Sequence, residues 1–506
     1  MLNFGKFQDF LYRFLFENRT EILQDSEMII KEINAFKHSH RRMRMIIGER
    51  YYEGKHDILH RKREVIGVNG DLEEVDNLPN NHIVDNQYAK MVNQKKNYLL
   101  GQPLTFKTEN KQYSEALKDT FNMRFMRTMK NLLEDALNEG IGWLYIGYDE
   151  HGHLKFTKIN GYEVIPLWRD TDHTELDGAI RFYPVVKFDG SDQHIVDKVE
   201  VYDSNGVYRF VLDSGRLITD EVPFEPYITV VHDDGSEECL NWVNIPLIPF
   251  KYNSKEIPLI TKVKSLQDGI NTILSNFQNA MEEDTRNTIL VLVNYDGEKL
   301  GEFRKNLATY GAVKVKSVDG QSGDVRTLQI EVNAENYKSI VEIFKKAIIE
   351  NAMGYDAKDD RMSGQPNQMN IQSMYSDIDL DANDIETEFQ ASFEQLLWFV
   401  DCHFANVGIG DFENEKVEVI FNRDMLLNEG EIIDNVNKST DLSLETRLAN
   451  HPWIDDVEAE IKRIKQEKQD EFDEYMSVFP GGNPPPSGAS ARGDPPDPNK
   501  GEGDDE

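Results

Sequence analysis

The strongest hydrophobic pattern in this chain lies between residues 263 and 404. Apolar residues recur there every three or four positions in three runs, 263–286, 334–352 and 371–404, which is the spacing of one face of a helix. As a helix, the last run is about 50 Å long. Because that is several times the ordinary helix length, the pattern predicts a spine that neighbouring molecules share.

Strand-forming residues separate the first two helical runs. Ile289–Val293 is rich in β-branched and leucine residues, and it ends at the turn sequence NYDG, residues 294–297. Residues 312–316 and 325–332 alternate apolar with polar positions and predict two more strands. The second helix is expected to end at Gly354, because glycine readily takes the left-handed cap conformation. A polar loop over residues 355–370 follows.

The first half of the chain changes from helical to strand-like patterns. Helical spacing covers 7–16, 22–36, 41–52, 81–100 and 126–139, with a loop predicted at 63–80. Strand patterns then follow at 143–148, 154–159, 164–168, 179–187, 198–202, 207–212 and 227–231. Helices followed by an antiparallel sheet predict an α+β fold.

The C-terminal end is predicted to be helical and then disordered. A strand is expected at 417–421 and helices at 429–441, 443–449 and 455–476, with Ser443 as an N-cap. From residue 480 onward Pro, Gly, Asp and Ser dominate, so too little apolar surface remains to offset the entropy of ordering.

The composition limits what the chain can do with nucleic acid and with membranes. Its formal net charge is −35 over 506 residues, whereas clamping phosphates requires clustered Lys and Arg. An acidic wall still lets a duplex pass without adhering. Two cysteines, Cys239 and Cys402, are predicted to be buried thiols in a reducing compartment. No apolar run is long enough to span a bilayer, and we expect a soluble, cytoplasmic protein.

Motifs of catalysis and metal binding are absent from the sequence. It contains no Gly-rich Lys-Ser/Thr loop, no His-Glu-x-x-His pair and no Cys-x-x-Cys pair. Asp377, Asp379, Asp381 and Glu388 have the spacing of a calcium loop, but Ala382 occupies the position that requires glycine. We interpret this stretch as a solvated face of the spine helix. His151 and His153 are expected in a surface turn without a third ligand. No catalytic residue, metal or cofactor is predicted.

Several short sequences, taken in order, resemble the portal proteins of tailed bacteriophages of the siphophage type. They are YLLGQPLTF at 98–106, IPLIPFK at 245–251, NYDG at 294–297, LSLET at 442–446 and HPWIDDVE at 451–458. The order of helix, β insertion, helix, loop and long helix is similar as well.

The resemblance implies an α+β portal fold with these regions: peripheral N-terminal helices (1–38), an α+β wing (39–262), a first stem helix (263–286), a clip (287–333), a second stem helix (334–352), a tunnel loop (353–370), the spine helix and return to the wing (371–429), a crown (430–478) and an acidic tail (479–506).

The resemblance also implies roles for individual residues. The tunnel-loop residues expected to face DNA are Lys358, Asp359, Asp360, Arg361, Ser363 and Gln365. The clip residues expected to face a motor or adaptor are Asn294, Tyr295, Asp296, Gly297, Arg304 and Lys305. The stem helices are expected to pack through Leu266, Ile270, Ile273, Phe277, Ile340 and Phe344, with their polar faces toward a channel or a neighbouring subunit.

The implied function is that of a non-enzymatic ring subunit at one capsid vertex. The family implies a homo-oligomer of about twelve copies, a channel for packaging and ejecting double-stranded DNA, and nucleation of head assembly. The implied partners are the terminase large subunit, the major capsid and scaffolding proteins and the head-completion adaptors, with no membrane. Two alternatives remain open: an acidic scaffold without a channel, and an α+β enzyme whose site has no recognised motif.

Overall fold

The computed structural model describes residues 25–66, 71–76, 78–189, 192–231, 234, 236–286, 289–293, 324–328, 334–358, 368–423, 429–454 and 457–478. The chain forms two compact units. The first comprises residues 1–363 and 372–425, and the second comprises residues 364–371 and 426–506.

The helices of the described chain, numbered in order, are α1 (Ser26–Lys37), α2 (His40–Tyr52), α3 (Gln87–Leu100), α4 (Lys111–Thr120), α5 (Met123–Glu139), α6 (Ile260–Arg286), α7 (Ala334–Asn351), α8 (Gln368–Asn406), α9 (Glu429–Lys438), α10 (Leu444–Ala449) and α11 (Val457–Val478). Short 3-10 turns lie at Asp57–His60 and Gly161–Glu163.

The strands are β1 (Glu64–Ile66), β2 (Leu72–Glu74), β3 (Thr105–Lys107), β4 (Ile141–Tyr148), β5 (Leu154–Ile159), β6 (Val164–Trp168), β7 (Leu176–Asp189), β8 (Asp192–Asp203), β9 (Gly206–Asp213), β10 (Arg216–Glu225), β11 (Ile228–Val231), β12 (Glu237–Leu240), β13 (Leu247–Lys251), β14 (Ile289–Val293), β15 (Asp324–Leu328) and β16 (Glu418–Ile420). This mixture of helices and strands confirms the predicted α+β class.

The largest sheet is an antiparallel meander in the order β10-β9-β8-β7-β6. Phe182 of β7 is paired with Val199 of β8, and both side chains are buried. Helix α1 packs on this face, where the rings of Phe36 and Phe182 lie 6.2 Å apart. An ion pair of 2.5 Å between Lys37 and Asp197 holds the end of the helix on β8. The sheet therefore has one face covered by α1.

A second sheet, β13-β4-β5, anchors the long helix α8. The ring of Phe250 on β13 lies 5.0 Å from that of Phe389 on α8, and the Ser392 hydroxyl donates to the Pro249 carbonyl at 2.6 Å. Trp143 on β4 is completely buried. With 39 residues, α8 is about 58 Å long, which confirms the long helix predicted from the apolar spacing.

Helices α6 and α7 pack closely against each other. A Cβ atom added to Gly269 would lie 2.5 Å from the ring of Phe344, so glycine allows this approach. The rings of Phe277 and Tyr337 lie 4.9 Å apart. Strands β14 and β15 pair antiparallel between the two helices, which agrees with the predicted strand at Ile289–Val293. The predicted strand at 325–332 agrees with β15 as far as residue 328, and residues 329–332 and 312–316 lie outside the described residues.

Two predictions in the first half of the chain were wrong. Residues 63–80, predicted as a loop, contain the hairpin of β1 and β2. Residues 81–86, predicted as helix, are not helical, and α3 begins only at Gln87 with Asn86 as its N-cap. The reason is tertiary, because backbone N–H groups of this segment bond to side chains of α6, as described below.

The end of α7 differs from the prediction as well. Met353, not Gly354, takes the left-handed conformation, with φ of 51°. Gly354 lies close to α3 instead: a Cβ atom there would lie 2.7 Å from Gln94 Oε1 and 2.8 Å from Met91 Sδ. A larger residue would therefore displace the ends of these two side chains.

The buried-thiol prediction was wrong for Cys239, which is exposed on β12, while Cys402 is half-buried. His151 and His153 lie in the exposed turn between β4 and β5 as predicted. Residues 7–16 and the tail from 480 lie outside the described residues. None of the helices in the described chain combines the length and apolar character that crossing a membrane requires.

The second unit contains α9, α10 and α11, as predicted. Ser443 caps α10 by accepting a hydrogen bond from the Thr446 N–H at 3.2 Å. Helix α10 packs against α11.

Candidate functional site

The backbone that follows α7 is held by side chains of α3. We call Met353–Tyr355 the loop root, because it begins the predicted tunnel loop. The Gln94 amide donates to the Tyr355 carbonyl at 2.8 Å and accepts from the Tyr355 N–H at 3.0 Å. The Lys95 ammonium donates to the Met353 carbonyl at 2.9 Å. These three bonds fix the loop root, including the left-handed Met353.

A buried ion pair connects the loop root to the spine helix. Lys95 is 2% exposed and Asp381 of α8 is 4% exposed, and their charged atoms are 2.7 Å apart. The Tyr252 hydroxyl donates to Asp381 at 2.9 Å, and Lys262 lies 3.5 Å away. Burial lowers the pKa of Lys95, and the Asp381 carboxylate opposes that shift. The pair therefore joins α3, α8 and the loop root.

Aromatic and charged contacts extend this connection along α8. The Tyr355 ring lies 4.6 Å from Tyr375, and Tyr375 stacks on Tyr98 at 5.6 Å. The Tyr98 hydroxyl donates to Asp379, which also pairs with Arg423 at 3.0 Å. Burial and the Asp379 hydrogen bond raise the pKa of Tyr98, so this hydroxyl stays protonated.

These partners show that Asp379 and Asp381 of the calcium-like stretch have structural roles. Asp377, Asp379 and Asp381 all lie within the continuous helix α8, so they do not form a calcium loop. The interpretation as a solvated face was nevertheless wrong for Asp381, which is buried against Lys95. The sequence did carry a signal for this pair. Each charged residue occupies a position on the apolar face of its helix. Lys95 lies between Met91 and Leu99 on α3, and Asp381 lies between Ile378 and Ile385 on α8.

A stripe of polar side chains on α6 binds the extended segment 81–86. Asn279 accepts from the Asn81 N–H at 2.7 Å, Ser275 from Ile83 at 2.9 Å and Asn271 from Asp85 at 3.1 Å. Gln267 accepts from the Tyr88 N–H and donates to the Asp85 carbonyl. All four α6 side chains are buried.

The spacing of this stripe explains why it fits an extended chain. Four residues of a helix rise by about 6 Å, and two residues of extended chain span about 6.6 Å. Every fourth side chain of α6 therefore meets every second N–H group of the segment. The polar faces of the stem helices were predicted to face a channel or a neighbouring subunit, and for these four residues that prediction was wrong.

Comparison with known proteins identifies the family. The model of the family described as phage portal protein, SPP1 Gp6-like, matches residues 33–473. The chain belongs to this portal family. It is 30% identical over 455 residues to the portal protein of Clostridium phage phiCD119, covering 85% of this chain and 93% of that protein. It is 26% identical over 466 residues to the portal protein of Bacillus phage SPP1, covering 90% and 89%.

The family confirms the resemblance found in the sequence. Portal proteins of phages are structural components of the virion capsid, so the chain is a structural phage protein. The names of the relatives assign no role to individual residues of this chain.

The predicted tunnel-loop and clip residues of this portal lie mostly outside the described part. Lys358, the last described residue before α8, is exposed, and its N–H donates to Asp356 Oδ1 at 3.0 Å. Asp359, Asp360, Arg361, Ser363 and Gln365 lie outside it, as do Asn294, Tyr295, Asp296, Gly297, Arg304 and Lys305. Their roles remain predictions.

The predicted stem-packing residues lie on α6 and α7. Ile270 is buried, whereas Leu266, Ile273, Phe277 and Phe344 are half-buried. Ile340 is exposed. The structure thus brings Phe344 against α6 and Phe277 against α7, and it leaves Ile340 at the surface of the chain.

Proposed function

We propose that this portal protein assembles head-to-tail into a closed ring of about twelve subunits around a channel for double-stranded DNA. The family match over residues 33–473 carries the proposal. Large apolar side chains exposed on the stem and spine helices support it: Met281, Ile340, Ile343 and Leu380. A neighbouring subunit would cover them, and identical head-to-tail contacts close into a ring when the rotation permits.

The regions of the chain would then have distinct tasks. Helices α6 and α7 form the stem, and the clip at 287–333 faces the terminase large subunit and later the head-completion adaptors. The wing at 39–262 and the crown at 430–478 contact the major capsid and scaffolding proteins, and the ring nucleates head assembly. The protein resides at one capsid vertex of the virion and in the host cytoplasm during assembly.

The mass of the purified protein tests the ring. Twelve copies of a 58.4 kDa chain give roughly 700 kDa, and we expect that mass by native mass spectrometry and a central hole by negative-stain imaging. Compact particles or filaments without a hole would instead favour an acidic scaffold. A stable monomer that turns over nucleotide or DNA ends would favour an enzyme and contradict the proposal.

The tunnel loop would face the DNA with both signs of charge. Lys358 and Arg361 would touch phosphates, while Asp359 and Asp360 prevent tight adhesion, and the net charge of −35 acts in the same direction. Replacing Lys358 and Arg361 together by alanine is expected to slow packaging or shorten the packaged DNA. Packaging assays with mutant procapsids would measure this, and unchanged rate and length would remove the role.

A further inference from the structure

Three acidic side chains meet where helices α2 and α5 come unusually close. A Cβ atom on Gly48 would lie 1.9 Å from the Asn138 carbonyl oxygen, so only glycine allows this approach. The next residue, Glu49, is thereby placed beside Asp135 and Glu139, which are one turn apart on α5. One carboxylate oxygen from each of the three lies within 4.8 Å of the others. We call these residues the carboxylate cluster.

The carboxylate cluster contains buried oxygens that lack hydrogen bonds. Glu139 is completely buried and Asp135 is 4% exposed. The Tyr162 N–H donates to Glu139 Oε2 at 3.1 Å, whereas Glu139 Oε1 and Glu49 Oε1 lack a donor in hydrogen-bonding geometry. The polar neighbours of Glu49 include the Asn138 side chain and Glu139 itself. The Lys158 ammonium lies 2.6 Å from Asp135 Oδ2, but this oxygen also lacks a hydrogen bond of good geometry. Buried acceptors of this kind are rare in proteins and require an explanation.

The charge of the cluster is also unbalanced. Lys158 is the basic group that contacts the cluster, 2.6 Å from Asp135. If all three carboxyl groups were ionised, that one ammonium would leave two uncompensated negative charges in the core. Buried charges of one sign are costly unless a counter-charge neutralises them.

We propose that Glu49, Asp135 and Glu139 bind one divalent cation of the calcium type. Its two positive charges would cancel the two that Lys158 leaves. Carboxylate oxygens are the ligands that such hard cations prefer. Calcium–oxygen distances of 2.3–2.6 Å allow two ligand oxygens to be up to about 5 Å apart, and the three oxygens of the cluster lie within 4.8 Å of one another.

The bound ion would join α2 to α5 inside the first unit and, through Lys158, to β5. It would stabilise the wing independently of ring formation. Failure of this proposal is therefore distinguishable from failure of the proposed ring.

Calcium titration of the full-length protein tests the site. Protein freed of cations by chelation and dialysis would be titrated with CaCl₂ by calorimetry, for the wild type and the variants Glu49→Gln and Glu139→Gln. Glu150→Gln, an exposed glutamate in the β4–β5 turn, removes the same charge outside the cluster. We expect one calcium per chain whose affinity falls roughly tenfold or more in both cluster variants and is unchanged in Glu150→Gln.

Thermal unfolding provides a second readout. Calcium is expected to raise the melting temperature of the wild type and of Glu150→Gln, but not of the cluster variants, because a ligand stabilises only the state that binds it. Equal calcium responses in the wild type and Glu139→Gln would place the binding elsewhere and overturn the proposal. The proposal would also be overturned if calcium changed the melting temperature of no variant and Glu139→Gln melted at a higher temperature than the wild type in chelator. Protons, and not a metal ion, would then neutralise the cluster.

Discussion

Lys95→Met is expected to destabilise the first unit by about 3 kcal/mol, because it removes the nearer and buried counter-charge of the Asp381 carboxylate and leaves only the more exposed Lys262, 3.5 Å away. The methionine fills a similar volume, so the loss reflects the charge and not a cavity. The Tyr252 hydroxyl would be the nearest remaining donor to Asp381. Thermal and denaturant unfolding of the purified variant would measure the change.

Two further variants separate the charge effect from other causes. Lys90→Met removes a lysine from an exposed position of the same helix and is expected to change stability by no more than about 0.5 kcal/mol. The double variant Lys95→Met with Asp381→Leu removes both charges and is expected to recover most of the loss. If the double variant were as unstable as the single one, the ion pair would not be the cause.

The double variant also isolates the role of the loop root. It keeps the core intact but removes the hydrogen bond from Lys95 to the Met353 carbonyl. The left-handed Met353 would then lose one of the contacts that hold it, since a non-glycine residue at positive φ persists only when its surroundings fix it. We expect packaging by this variant to fall while its melting temperature stays near that of the wild type.

Ile343→Glu is expected to prevent ring formation and to leave the protein as monomers or small oligomers. Ile343 is 65% exposed on α7 of the single chain, and the proposed ring buries it against a neighbouring subunit. A glutamate there would place an unpaired charge in the interface, between chains that already carry −35 each. Native mass spectrometry would show the shift from roughly 700 kDa to the mass of one or a few chains.

A matched isoleucine provides the control. Ile195 on β8 is 74% exposed, and Ile195→Glu introduces the same group on the meander sheet, away from the stem helices. Circular dichroism should show that both variants fold. If Ile343→Glu formed rings as readily as the wild type, the exposed face of α7 would not be the contact between subunits.

Much of the secondary structure was predictable from local patterns. The apolar spacing of α6, α7 and α8 and the cap at Ser443 are properties of consecutive residues, and the structure confirms them. Strand β10 and helix α4 were missed. Every residue of β10 is exposed or half-buried, so no buried face marks it as a strand. The extended segment 81–86 was mispredicted because its partners lie nearly 200 residues away on α6.

The candidate site was predicted less completely than the fold. The family resemblance predicted a tunnel loop after α7 and named Lys358, which is exposed three residues after the loop root. It did not reveal Gln94, Lys95 or Asp381, although a charged residue at an apolar position of each helix was a usable signal. The partner of each charge could not be known, since the two residues are 286 positions apart.

By itself, the sequence determined the α+β class, the long helix and the portal family, because periodicity, turn residues and ordered motifs are all read along the chain. Tertiary structure alone decided which polar groups are buried and what pairs with them. The α6 stripe, the Lys95–Asp381 pair and the carboxylate cluster depend on contacts between distant segments. Burial makes an unpaired polar group costly. These contacts form only on folding, and they determine which segments are fixed in place and where buried charge lacks a partner.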